Sequence, residues 1–111
     1  MELPTRVIFA TPKVKEECEA LQRGKTEDKK RYDQLQEAFA AIEKNGFCGI
    51  QIKKRLMPKL YLKKFNIHNL WKCNLSDGWR LLYSIENQEG FVVSIIIEWL
   101  SHKEYDQRLD Y

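Results

Sequence analysis

The alternation of apolar and polar positions is clearest in the last third of the chain. Residues 69–75 and 79–85 carry aromatic and aliphatic side chains alternating with polar ones about a Ser76-Asp77-Gly78 step, the signal of a β-hairpin. Strand side chains alternate with period two, so the length of the loop fixes which residues meet. A three-residue loop puts Leu75 opposite Trp79, Asn74 opposite Arg80 and Lys72 opposite Leu82, which gathers Lys72, Asn74 and Arg80 on one face. A two-residue Asp77-Gly78 turn would pair Arg80 with Leu75 and Lys72 with Tyr83, mixing charged and apolar groups on both faces. The three-residue loop is therefore the expected register. After a turn over 86–90, residues 91–100 are apolar on both alternating sets, as in a strand placed centrally in its sheet. Ser101-x-x-Glu104 is a capping box that opens a short helix with His102, Tyr105 and Leu109 on one side.

Earlier in the chain, residues 6–10 (Arg-Val-Ile-Phe-Ala) form a short β-prone run. Thr11-Pro12 then supplies an N-cap and first helical position, with Val14, Cys18 and Leu21 at helical spacing up to Gly24. Thr26 is the expected cap of a second helix, with Glu27 and Asp28 in its first turn and Tyr32, Leu35, Phe39 and Ile42 as its apolar stripe. Asn45-Gly46 is the expected left-handed ending. Two one-sided helices joined by a short loop should form an antiparallel pair lying across the sheet. Residues 47–68 are less regular: Ile50 and Ile52 can begin a strand, and Pro58 can begin a helical turn reaching Phe65. The sum is a single α+β domain over 1–111: strand, two-helix hairpin, antiparallel three-stranded extension and short C-terminal helix.

Composition changes this picture little, with 43% hydrophobic and 32% charged residues, as expected of a globular chain. No apolar run is long enough to cross a bilayer and the start has no signal-peptide pattern, so a cytoplasmic protein is expected. The three cysteines, Cys18, Cys48 and Cys73, are odd in number and widely spaced, which predicts buried or half-buried free thiols. Charge matters more. Between residues 44 and 76 there are 8 Lys and Arg and no Asp or Glu, although the net charge of the whole chain is only +3. A segregated basic stretch that leads into the hairpin is the electrostatic footprint of a phosphate-rich partner, and it makes Lys53, Lys54 and Arg55 candidate RNA contacts.

Arg80 stands out because its strand is otherwise aromatic and aliphatic, and a guanidinium on a sheet face suits a bidentate grip on phosphate. The alternative reading is a structural ion pair with Glu86 or Glu98. Lys72, on the same face, can neutralise charge that builds on a phosphate. His102 and Tyr105 lie three apart near the end of the last strand; one can carry protons near neutral pH and the other can stack on a base or pass a proton. His68 has no evident partner and is expected to be structural or exposed. Glu98 and Glu104 are conceivable bases, with capping the simpler role for Glu104. There is no Gly-rich phosphate loop, no His-x-x-x-His and no cluster of metal-binding type, so neither a metal nor a cofactor is expected.

The order of elements resembles the RelE/ParE superfamily of toxins from toxin-antitoxin pairs. The residues that carry the likeness are Asn69-Leu-Trp-Lys72-Cys-Asn-Leu75, Gly78-Trp-Arg80-Leu-Leu-Tyr83, the apolar strand to Trp99, and His102-Lys103-Glu104-Tyr105. The likeness covers nearly the whole chain and is specific from about residue 69 onward. It implies that Lys72, Arg80 and Tyr105 bind and cleave messenger RNA in the ribosomal A site. It implies metal-free attack of a ribose 2′-hydroxyl on the adjacent phosphorus, giving a cyclic phosphate and a free 5′-hydroxyl. Arg80 and Lys72 would then stabilise the transition state, Tyr105 would stack on a base or assist proton transfer, and His102 would act as acid or base. Asn74 stands where RelE has a second lysine, and His102-Lys103 where RelE has a C-terminal arginine, closer to the YoeB and HigB branches; Asn74 and Lys103 join the candidate RNA contacts. A cognate antitoxin is implied too, through an acidic helical segment over the basic face. The resemblance leaves three rivals: a ParE-type inhibitor of DNA gyrase, a non-enzymatic nucleic-acid binding module, and a decayed toxin kept for its antitoxin.

Overall fold

A computed structural model describes residues 1–109. Among them are five strands and four helices: β1 (Arg6–Phe9), α1 (Pro12–Ala20), α2 (Thr26–Lys44), β2 (Ile50–Gln51), α3 (Lys59–Phe65), β3 (Trp71–Asn74), β4 (Arg80–Gln88), β5 (Phe91–Leu100) and α4 (His102–Leu109). They form one mixed sheet in the order β1-β5-β4-β3-β2. The α+β architecture expected from the sequence is the one observed.

The hairpin takes the three-residue register. Asn74 pairs with Arg80, Cys73 with Leu81, Lys72 with Leu82 and Trp71 with Tyr83. Leu75 N donates to Trp79 O at 2.8 Å, closing a loop of Ser76–Gly78 in which Asp77 (φ 60) and Gly78 (φ 79) both take left-handed conformations. Gly bears that conformation freely and Asp more readily than most residues, which is why this step turns here. The β4–β5 turn is tighter than the expected 86–90, with only Glu89 and Gly90 outside the strands, both at positive φ as a two-residue hairpin turn requires. β5 lies between β4 and β1, as its two apolar faces require, and its pairing with β1 is parallel, a relation the pattern did not specify.

Two apolar clusters lie on opposite sides of the sheet. On one side Val14 and Cys18 of α1 and Leu35, Ala38, Phe39 and Ile42 of α2 pack on Leu81, Tyr83 and Ile96. On the other, Tyr61 of α3 and Tyr105 and Leu109 of α4 pack with Ile52, Leu82, Ile97 and Leu100. A bulge between Leu82 and Tyr83 shifts the β4–β5 register, so that Leu82 faces Glu98 and Tyr83 faces Ile96, with Ile97 unmatched. Ile97 and Glu98 therefore both serve the α3/α4 side: Ile97 in its core, Glu98 through Tyr61 and Arg108.

Helix ends differ from expectation in two places. Thr26 is the first helical residue and Lys25 occupies the N-cap position, where its N–H donates to Asp28 Oδ2 at 3.1 Å. Asn45 ends α2 in an extended conformation (φ −153), not a left-handed one. Its side-chain oxygen accepts from Leu3 N at 2.9 Å and from Phe47 N at 3.0 Å, tying the N-terminal segment to the helix end. Of the cysteines, Cys18 is buried and Cys73 half-buried as expected, but Cys48 is exposed.

Burial also sets the response of the fold to alkali. Burial, with Glu19 adding to it, pushes the Cys18 thiol from 9.0 up to about 11, and burial raises the Tyr61 and Tyr83 phenols above their ordinary range. The folded state holds these protons more tightly than the unfolded chain does. Their contribution to stability is therefore constant below about pH 8 and declines as pH rises through 9 to 11, where the unfolded chain releases protons that the folded one keeps. Urea unfolding at pH 7, 9 and 10 should show a falling free energy, by up to about 1.4 kcal/mol per pH unit for each such group. A free energy that rises over this interval would contradict the burial described.

Candidate functional site

Strand register and a helix cap together assemble the polar cluster. Arg80 stands at the start of β4, between Asn74 on β3 and Leu100 at the end of β5. The chain turns into α4 immediately after Leu100, because the capping box forms: Ser101 N donates to Glu104 Oε1 at 3.0 Å and Glu104 N donates to Ser101 Oγ at 3.2 Å. Those bonds hold the Glu104 carboxyl below its usual range and give it the capping role. The first turn of α4 is thereby set against Arg80.

Arg80 makes no carboxylate contact among the described residues. Its Nη1 donates to Gly78 O, its Nη2 donates to His102 Nδ1 at 3.3 Å, and its Nε is buried without a protein acceptor. The structural ion pair that would explain Arg80 is excluded by where its acids go. Glu86 accepts from His68 and Asn69, which also gives His68 a partner the sequence did not reveal, and Glu98 is held by Arg108 and Tyr61. Each terminal nitrogen of Arg80 carries two N–H groups and spends only one here, leaving a donor on each.

His102 is fixed at both nitrogens. Nδ1 accepts from Arg80, since a guanidinium can only donate, and Nε2 lies 3.3 Å from Asp106 Oδ2 one turn on. Arg80, His102 and Asp106 thus form a hydrogen-bonded row. Asp106 went unremarked in the sequence, although its i,i+4 spacing from His102 on a capped helix was there to be read. Gly78 is also part of the arrangement: a Cβ there would stand 3.2 Å from His102 Cβ in a backbone conformation (φ 79) that suits glycine.

Tyr105 is the floor of the cluster. Lys72 Nζ and the Arg80 guanidinium carbon each lie 5.2 Å from its ring centroid, so one aromatic ring carries two cations. The ring is only 2% exposed and belongs to the α3/α4 core. It has no free face for a base, so of the roles the resemblance implies, base stacking does not fit; Tyr105 positions Lys72 and Arg80.

Four of the residues singled out in the sequence, Lys72, Arg80, His102 and Tyr105, therefore meet. Asn74 is exposed beside Arg80 on the neighbouring strand, and Lys103 is exposed on the first turn of α4. Lys53, Lys54 and Arg55 do not join them. Ile52 N donates to Leu70 O, so the chain leaves β2 past the far end of β3, about 13 Å along the strand from Asn74. These three are exposed and lead into α3, whose Lys59, Lys63 and Lys64 are exposed as well. The described residues hold no group of three or more His, Cys, Asp or Glu arranged to bind a metal, and no helix long and apolar enough to cross a membrane.

Comparison with known proteins gives no match to the chain in family models, curated proteins or solved structures.

With no carboxylate attached and its side chain half-buried, Arg80→Ala is expected to change the unfolding free energy by less than about 1 kcal/mol in urea titration, its main loss being the contact with Tyr105. A loss above about 3 kcal/mol would mark Arg80 as a structural group.

Proposed function

We propose that this protein is the toxin of a type II toxin-antitoxin pair and a ribosome-dependent, metal-independent messenger RNA endoribonuclease that inhibits translation in the cytoplasm. The observation that carries the reading is the convergence of Arg80 and Lys72 over the buried Tyr105 ring with His102 bonded to Arg80, and Arg80 free of any carboxylate among the described residues. A cationic pair without acids is suited to the charge that accumulates on phosphate oxygens, and a histidine beside it is suited to proton transfer.

In the proposed reaction a ribose 2′-oxygen attacks the neighbouring phosphorus and the bond from phosphorus to the 5′-oxygen breaks. The products are a 2′,3′-cyclic phosphate and a free 5′-hydroxyl. Arg80 and Lys72 stabilise the non-bridging oxygens as charge builds on them. His102, oriented by Asp106 at Nε2, exchanges a proton with the attacking or the leaving oxygen through Nδ1, which Arg80 releases as its guanidinium turns to the phosphate, and solvent carries the other proton. The few acid-base groups in this cluster favour a substrate held in place by the ribosome.

The partner proposed is an antitoxin with an acidic, amphipathic helical segment. Leu60 and Leu62 of α3, 53% and 46% exposed, flank buried Tyr61 on either side of the helix and stand among Lys59, Lys63 and Lys64, so the exposed surface of α3 offers both apolar and basic groups to such a helix.

Primer extension on messenger RNA held by programmed ribosomes tests the activity. Cuts within the A-site codon are expected from the wild-type protein, with Arg80→Ala reduced at least about 100-fold, as removal of one such donor requires. Absence of cuts from folded wild-type protein, or equal cutting by the variant, would overturn the assignment.

A further inference from the structure

The cluster has its phosphate-binding cations but, with Tyr105 buried, no aromatic surface on which a nucleotide can rest. Such a surface lies one residue upstream. Trp79 is half-buried and, among the described residues, belongs to neither apolar cluster, an unusual position for the largest side chain. The Arg31 guanidinium of α2 lies over its ring at 4.2 Å from the centroid. Arg31 is itself held there: Nη1 donates to Ser76 O at 3.3 Å and to Gln34 Oε1, and Gln34 in turn reaches Ser76 Oγ. Lys30, next along α2, pairs with exposed Asp77 at 3.7 Å. The Ser76–Gly78 loop is thus gripped on its α2 side by Lys30, Arg31 and Gln34, and on its α4 side by Arg80, which donates to Gly78 O.

We propose that Trp79 and Arg31 form a stacking platform for a base of single-stranded RNA, whose backbone passes round the Ser76–Gly78 loop to place its phosphate at Arg80. The inference rests on the endoribonuclease reading for its substrate, but its observations are separate ones. A guanidinium lying on an indole presents a flat cationic plane, and bases stack on both tryptophan and arginine planes with little regard to sequence. Period-two alternation sends Trp79 to the α2 side of the sheet and Arg80 to the α4 side, so the two can share one ligand only at the sheet's end, where the loop lies. A protein partner fits less well: the nearby charges are of both signs, and none of the large exposed apolar side chains among the described residues belongs to the 76–80 segment.

Intrinsic fluorescence tests the platform without requiring cleavage. Titration of the full chain with an eight-nucleotide oligoadenylate in low salt should quench tryptophan emission. The quenching should persist in Arg80→Ala, vanish in Trp79→Phe, and require about tenfold more oligonucleotide in Arg31→Gln. Quenching that survives in Trp79→Phe, or its absence from the wild type, would overturn the platform. On programmed ribosomes, Trp79→Leu should cut about tenfold more slowly at limiting ribosome concentration; unchanged cutting would also overturn it. Quenching at Trp79 with no cutting by the wild type would instead sink the endoribonuclease reading and leave the platform standing.

Discussion

The pairing of β3 with β4 is the constraint on which the rest depends. A strand slipped by one residue exchanges its two faces, so the length of the Ser76–Gly78 loop decides whether Lys72 joins Arg80 on the α4 side or turns to the α1/α2 core. The core enforces the choice. Leu81 and Tyr83 are completely buried against the α1/α2 side and Leu82 against the α3/α4 side; a one-residue slip of β3 against them would carry Lys72 to the α1/α2 side and Trp71 and Cys73 away from the cluster they pack on. The cationic cluster is thus a consequence of apolar burial elsewhere on the same strands.

Two further devices complete the site, and both act on its position more than on its charge. The capping box starts α4 at once after β5, which seats His102 against Arg80 and brings Tyr105 beneath both cations one turn later. The Tyr105 ring offsets part of the repulsion between Lys72 and Arg80 without supplying a carboxylate. An arginine salt-bridged to Glu98 would have been spent; here Glu98 is engaged by Tyr61 and Arg108 on the same side of the sheet, through the bulge at Ile97.

Local chemistry was readable in the sequence and long-range placement was not. The hairpin register followed from period-two alternation and one loop, the capping box from four residues, and the central position of β5 from its two apolar faces. The left-handed ending expected at Asn45 failed because its side chain finds a tertiary use, accepting from Leu3 N, 42 residues away in sequence. The bulge is equally invisible to a pattern, since it appears only when Tyr83 is paired with Ile96. At the site, sequence placed Lys72 and Arg80 on one face, yet it could not show that Tyr105 would be buried in the α3/α4 core, which turns an expected stacking residue into a support. The basic run at 53–55 was legible as charge; its distance from Arg80 follows only from the antiparallel direction of β2.

The central claim is that this cluster promotes attack by a ribose 2′-oxygen on the adjacent phosphorus. The most direct measurement is cleavage on programmed ribosomes of two messages that differ only in a single 2′-deoxy substitution at the nucleotide preceding the scissile phosphate. The account predicts a cut in the all-ribose message, ending in a cyclic phosphate, and none in the substituted one. Equal cutting of both, or cutting of neither by folded protein, would contradict it.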